Sequence, residues 1–265
     1  VSSLVHVTGI VLHVVKHGET SLIITAFTRE LGKVGLMAKG ARGKSKLGSA
    51  AGLELLTESQ FVLYYKAGRD LQLLKEWMAV EPHRGLRENF NSLTIGSAVA
   101  EILSRCLREH DPHPELFDAA RTILQALDGS PASPLPLLWA FQLHLFSVLG
   151  FGLRTEQCTS SGVPLTPPFS STIGYRFADG AFLHPSVKNT VLHDGELSAE
   201  AFMILSRLTT SPLQFAARLN VSPRAQHDLT TFLARYLETH LPVSGKLRSL
   251  QALNWGRISP DSSEV

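Results

Sequence analysis

The chain has 265 residues, 44% of them apolar and 18% charged, with a formal net charge of +2. That is enough material for a well-buried core and for two domains or more, and it excludes a disordered, low-complexity chain. Cys106 and Cys158 are too few and too far apart for a disulfide framework, no stretch approaches the roughly 20 unbroken apolar residues of a membrane span, and His6, Thr8 and His13 interrupt the apolar N-terminus where a signal peptide would run, so a reducing cytosolic setting is expected.

Residues 4 to about 80 follow a period of two and are rich in β-branched side chains. Val5, Val7, Ile10, Val11, Val14 and Val15 form the first strand, Leu22 to Phe27 the second, and Val34 to Met37 the third. Residues 53–65 and 71–80 supply two more, with turn-like connections at 17–20, 30–32 and 67–70. Five short antiparallel strands leave too many exposed edges as an open sheet, so closure into a barrel of the OB type is expected.

Charge is unevenly distributed along this pattern. Residues 1–80 hold ten Lys/Arg against six Asp/Glu, a balance of +4, and the remaining fifteen against seventeen give −2. The densest part is 33–48, with five cations, four glycines and no acid. A local positive patch attracts polyanions even when the whole protein is near neutral, and nucleic acid is the first partner it suggests. Arg29, Lys33, Lys39, Arg42, Lys44, Lys46 and Arg69 are the candidate backbone contacts, and Phe27, Tyr64 or Tyr65 could offer ring faces to bases. A solvated hairpin tip and buried aromatics are the plainer readings of the same residues.

After Glu81 and Pro82 the period becomes helical. Leu93 to Leu107 and Leu116 to Leu127 each carry one apolar stripe, and a Pro/Ser linker leads to LLWAFQLHLFSVLGFG, apolar nearly all round and suited to the centre of a bundle. Residues 154–196 read as an irregular insert. Ser198, Ser211 and Ser222 are expected to cap helices, the last two ahead of a proline. Leu229, Phe232, Leu233, Tyr236 and Leu237 give the last helix its buried stripe, and the polar tail from Gly256 is expected to be flexible. The fold class is therefore α+β, with a barrel at 1–80, helical parts at 81–155 and 196–250, an insert at 156–195 and a tail at 251–265.

Catalytic signatures are missing from the sequence. There is no Walker-type phosphate loop, no GxSxG and no HExxH or HxH pairing among eleven scattered histidines, and His144 on its apolar helix reads as a satisfied core or edge residue. No enzyme activity, cofactor or small-molecule substrate is expected.

GETS at 18–21, FTRELGKV at 27–34 and AKGAR at 38–42, with the later apolar helix followed by a cysteine, resemble the RecO family of bacterial recombination mediators. The resemblance spans most of residues 4–250. It implies an OB barrel, a helical domain and a zinc-ribbon-like insert. It also implies binding and annealing of single- and double-stranded DNA, partnership with RecR, contact with the acidic tail of the single-strand-binding protein, loading of RecA, and a cytoplasmic, nucleoid-associated location. Arg105, Arg108 and Arg121 are candidates for the acidic partner. The insert departs from the zinc-bearing pattern of two CxxC pairs, since only Cys158 and His184 could ligate, so a metal-free insert held by Tyr175, Phe177 and Phe182 is expected. A general RNA-binding OB module and an acidic-tail adaptor are the rival readings of the residues.

Overall fold

A computed structural model describes residues 3–42, 52–241 and 248–249. Five strands, β1 (Ser3–His17), β2 (Ser21–Thr28), β3 (Gly32–Ala38), β4 (Glu58–Tyr65) and β5 (Leu71–Glu81), close into a barrel in the order β1-β2-β3-β5-β4. All neighbours are antiparallel except β3 and β5, which run parallel with Gly35 opposite Leu71 and Met37 opposite Leu73. Closure depends on the length of β1. Its first half pairs with β4 and its second with β2, and a bulge between Val11 and His13 turns the strand from one neighbour to the other. Inward-pointing Val7, Val11, Ile24, Ala26, Val34, Leu36, Phe61 and Leu63 fill the barrel.

Residues 53–57, expected as the start of the fourth strand, form a turn instead. Leu56 adopts a left-handed backbone there, and Leu53 and Leu56 are buried.

Three helices follow: α1 (Arg84–Glu88), α2 (Phe90–Cys106) and α3 (Pro114–Asp128). They cluster with the barrel in one compact unit that runs to residue 130, while residues from 131 onward, through 241, form a second. Phe27 shows why the barrel needs these helices. It is fully buried on the outside of the sheet, its ring 5.9 Å from that of Phe117 in α3, so it is a packing residue and not a platform for a base.

The second unit is built around α4 (Leu135–Val148), which buries residues on every side as its composition predicts. His144 departs from expectation: its Nε2 is buried with no hydrogen-bond partner among the described residues. The insert is more ordered than its sequence suggests. β6 (Ile173–Arg176), β7 (Ala181–Leu183) and β8 (Gly195–Leu197) make a small sheet in the order β7-β6-β8.

Tyr175 and Phe182 of this sheet, with Phe177 just after β6, pack tilted and edge-on into a ring cluster with Phe202 of α5 (Ala199–Thr210) and with Phe232 and Tyr236 of α6 (Pro223–His240). Ser198 and Ser222 cap α5 and α6 as expected. Ser211 does not cap a helix start. It ends α5, and the segment after Pro212 is a single 3-10 stretch, Leu213–Arg218. No helix among the described residues is long and apolar enough to cross a membrane.

Candidate nucleic-acid interface

The cations singled out from the sequence are engaged in different ways. Arg29 and Lys33 point at the helices. Arg29 makes two hydrogen bonds to Asp118 of α3, at 3.2 and 2.9 Å, and both side chains stay about half exposed. Lys33 donates from Nζ to the Ser104 carbonyl at 2.6 Å, where a cation satisfies the carbonyl end of α2.

Lys39 and Arg69, in contrast, are exposed. Arg42 holds the turn after β3 onto the β1–β2 turn, donating from its backbone to Thr20 at 2.9 Å and from its guanidinium to the carbonyls of Gly18 and Glu19. Lys44 and Lys46 lie outside the described residues.

The parallel β3–β5 seam determines how the exposed cations are spaced. Two residues beyond the last pair, Met37 with Leu73, stand Lys39 on one strand and Lys75 on the other, both exposed. Two residues before the first pair, Gly35 with Leu71, stand Lys33 and Arg69. At about 3.3 Å per residue, a strip about 20 Å long separates the two ends. Between them the half-buried outer side chains of Ile23, Thr25, Met37, Leu71 and Leu73 form a low-relief face across β2, β3 and β5. Low side chains with cations at both ends suit an extended phosphate backbone whose bases lie on the sheet, and this is the face that OB barrels use.

The rim is well anchored. Gln72, fully buried, clamps the β4–β5 turn by accepting from the Lys66 backbone and donating to the carbonyls of Lys66 and Arg69. Lys16 and Lys66 are exposed at the two turns and, with Lys75, are cations of the rim that the sequence reading missed. Alternation along β5 puts Lys75 outside, but only the parallel pairing brings it level with Lys39. Glu19, Asp70 and Glu76 intersperse the strip, and Glu76 pairs with Lys75 at 3.1 Å. Of the aromatics, Tyr64 is exposed on β4, and Tyr65 packs its ring edge-on against His110 at 6.3 Å.

The comparisons with known proteins agree with this architecture. The barrel, residues 3–83, matches the family model described as Recombination protein O N terminal, and residues 87–251 match Recombination protein O C terminal. This chain belongs to the RecO family of DNA repair proteins. The DNA repair protein RecO of Salinibacter ruber is 38% identical over 236 residues, covering 89% of this chain and 87% of its own length. That of Anaeromyxobacter sp. strain K is 32% identical over 238 residues, covering 89% and 91%.

The zinc expected of a RecO insert can be tested against the residues present. The His184 backbone reaches the Cys158 thiol, while its imidazole Nδ1 is 2.8 Å from the Ser186 hydroxyl: burial pushes the Cys158 thiol up, and hydrogen bonds from the Ser161 hydroxyl and the backbones of His184, Ser160 and Ser161 outweigh it and bring it below the ordinary thiol range. The remaining two ligand positions hold Ser161 and Val187. A hydroxyl and an isopropyl group do not complete a tetrahedral N/S shell, so these residues do not fit a structural zinc.

The arginines considered for an acidic partner of RecO are also differently engaged. Arg121 is bidentate to Glu58, at 2.9 and 2.7 Å, and sits 5.0 Å over the Phe117 ring. Arg105 pairs with Glu101 at 2.9 Å one turn earlier on α2, and Arg108 is exposed. Burial pushes the Cys106 thiol up to about 12, which disfavours the reactive thiolate.

Proposed function

We propose that the chain binds single- and double-stranded DNA along the outer face of β2, β3 and β5 and anneals complementary strands without catalytic chemistry. In this reading Lys39, Arg69 and Lys75, joined by Lys44 and Lys46, neutralise phosphates while Arg42 braces the turn that carries them, and two bound strands then repel each other less while their bases stay free to pair. Arg29 and Lys33 act at second hand, holding α2 and α3 against the barrel beside that face. The observation that carries the reading is the parallel β3–β5 register, which ranges exposed cations at both ends of a low apolar face.

Partnership with RecR, capture of the acidic tail of the single-strand-binding protein, with Arg108 the exposed candidate contact, and assistance in loading RecA complete the proposal. They are supported by membership of the family.

The deciding experiment is annealing of complementary oligonucleotides already coated with single-strand-binding protein, comparing the wild type with a K39E/R69E/K75E variant. Wild-type acceleration lost in the variant supports the interface. Equal acceleration by both would remove the face from the mechanism, and tighter binding of RNA than of single-stranded DNA would favour an RNA-binding module instead.

A further inference from the structure

We propose that Glu81, His83 and Asp128 bind one divalent transition-metal cation of the zinc class at the seam between the barrel and its helices. Glu81 ends β5, His83 immediately precedes α1, and Asp128 is the last residue of α3. One ligand atom from each lies within 4.8 Å of the other two, and no other group of three such residues gathers in this way among the described residues. Metal–ligand bonds of about 2.0–2.2 Å set neighbouring donors roughly 3–4.5 Å apart, so small side-chain adjustments close the three on a common ion.

His83 carries the argument. It is fully buried, and neither ring nitrogen has a hydrogen-bond partner among the described residues. An imidazole in that position is normally satisfied by protein or water. Here it faces two carboxylates from a distance that a shared ion bridges and a direct hydrogen bond does not. Its backbone is also held in the left-handed region, at φ 47° and ψ 59°, although its side chain makes no cap for α1. Backbone strain of this kind persists where the surroundings fix it, and it concentrates at ligand sites.

Asp128 is firmly placed, because its Oδ1 accepts from the Leu86 backbone at 2.9 Å and so anchors α1 to the end of α3.

The donor set selects the ion. One imidazole and two carboxylates suit Zn²⁺ or Mn²⁺. An all-oxygen site would suit Mg²⁺ or Ca²⁺, and thiolates would suit Cu(I). The two carboxylates offset the charge of a dication. Being only half buried, they leave the remaining coordination positions to water, so the ion is exchangeable and chelators reach it.

The test uses the full chain, stripped with a chelator and titrated with Zn²⁺ by calorimetry and by thermal melting. One equivalent should bind and raise the melting temperature. H83Q and E81Q should each weaken binding tenfold or more, while a C158S/H184A double variant, which disables the insert, should bind as the wild type does. E81Q guards against misfolding of H83Q, since the half-buried Glu81 caps no helix. Failure of the wild type to bind, undiminished binding by E81Q, or loss of binding in the double variant would each overturn the site.

Discussion

Arg121 meets Glu58, whose side chain is only 5% exposed, whereas Arg29 meets an Asp118 that is 47% exposed. Removing the first leaves a buried carboxylate without its partner. Arg121→Ala is therefore expected to cost about 2–4 kcal/mol, and Arg29→Ala, whose pair is screened by solvent, clearly less, both read from urea denaturation midpoints. Hydrogen bonding from Arg29 holds the Asp118 carboxyl below the ordinary aspartate range. A depressed folded-state pKa gives stability that is present above the unfolded value and lost as pH falls through the folded one. The gap in midpoint between wild type and D118N should accordingly be present at pH 6 and close in strong acid. A gap that does not vary with pH would show that the pair contributes nothing through charge. The partners lie 89 and 63 residues away along the chain, a separation at which no sequence periodicity can connect them.

At the scale of elements, legibility followed length. The five barrel strands and the five long amphipathic or buried helices run for two or more turns or pleats, long enough for a period to register. β6, β7 and β8, of three or four residues each, are too short for alternation to be distinguishable from chance, so the insert read as irregular. The 3-10 stretch after Pro212 carried the same Ser-Pro signal as a true helix start, and only tertiary packing separates the two. The β3–β5 pairing was hidden for another reason: consecutive hairpins are local, and the parallel pair that completes the barrel is not.

How tightly the elements meet can be tested at Gly32, which opens β3 with φ +68° and would bring a Cβ to 2.3 Å from the Asp111 carbonyl oxygen. Gly40 has a similar φ of +71° with nothing within 4 Å. Gly40→Ala should cost about 1 kcal/mol for the backbone alone, and Gly32→Ala clearly more, because the loop between α2 and α3 must also move. Equal losses by chemical denaturation would mean that this loop yields freely and does not brace the strand.

For the molecule as a whole, a net charge of +2 is too small to draw DNA from a distance, so affinity must come from the few cations that reach phosphates. Counterion release makes that number measurable: the logarithm of affinity for single strands falls with the logarithm of salt by about 0.7 per phosphate neutralised. Lys16, Lys39, Lys66, Arg69 and Lys75 are exposed around the candidate face, and five such contacts correspond to a slope of about −3.5. K39A and K75A should each make the slope shallower by about 0.7, equally on homopolymer and mixed-sequence strands, because phosphates carry no sequence. Arg29→Ala should leave it unchanged, since that charge is already paired with Asp118. If instead it flattens the slope as much as K39A does, the Arg29–Asp118 pair must open on binding. DNA would then compete with α3 for the same guanidinium, and the join between barrel and helix would itself respond to the nucleic acid.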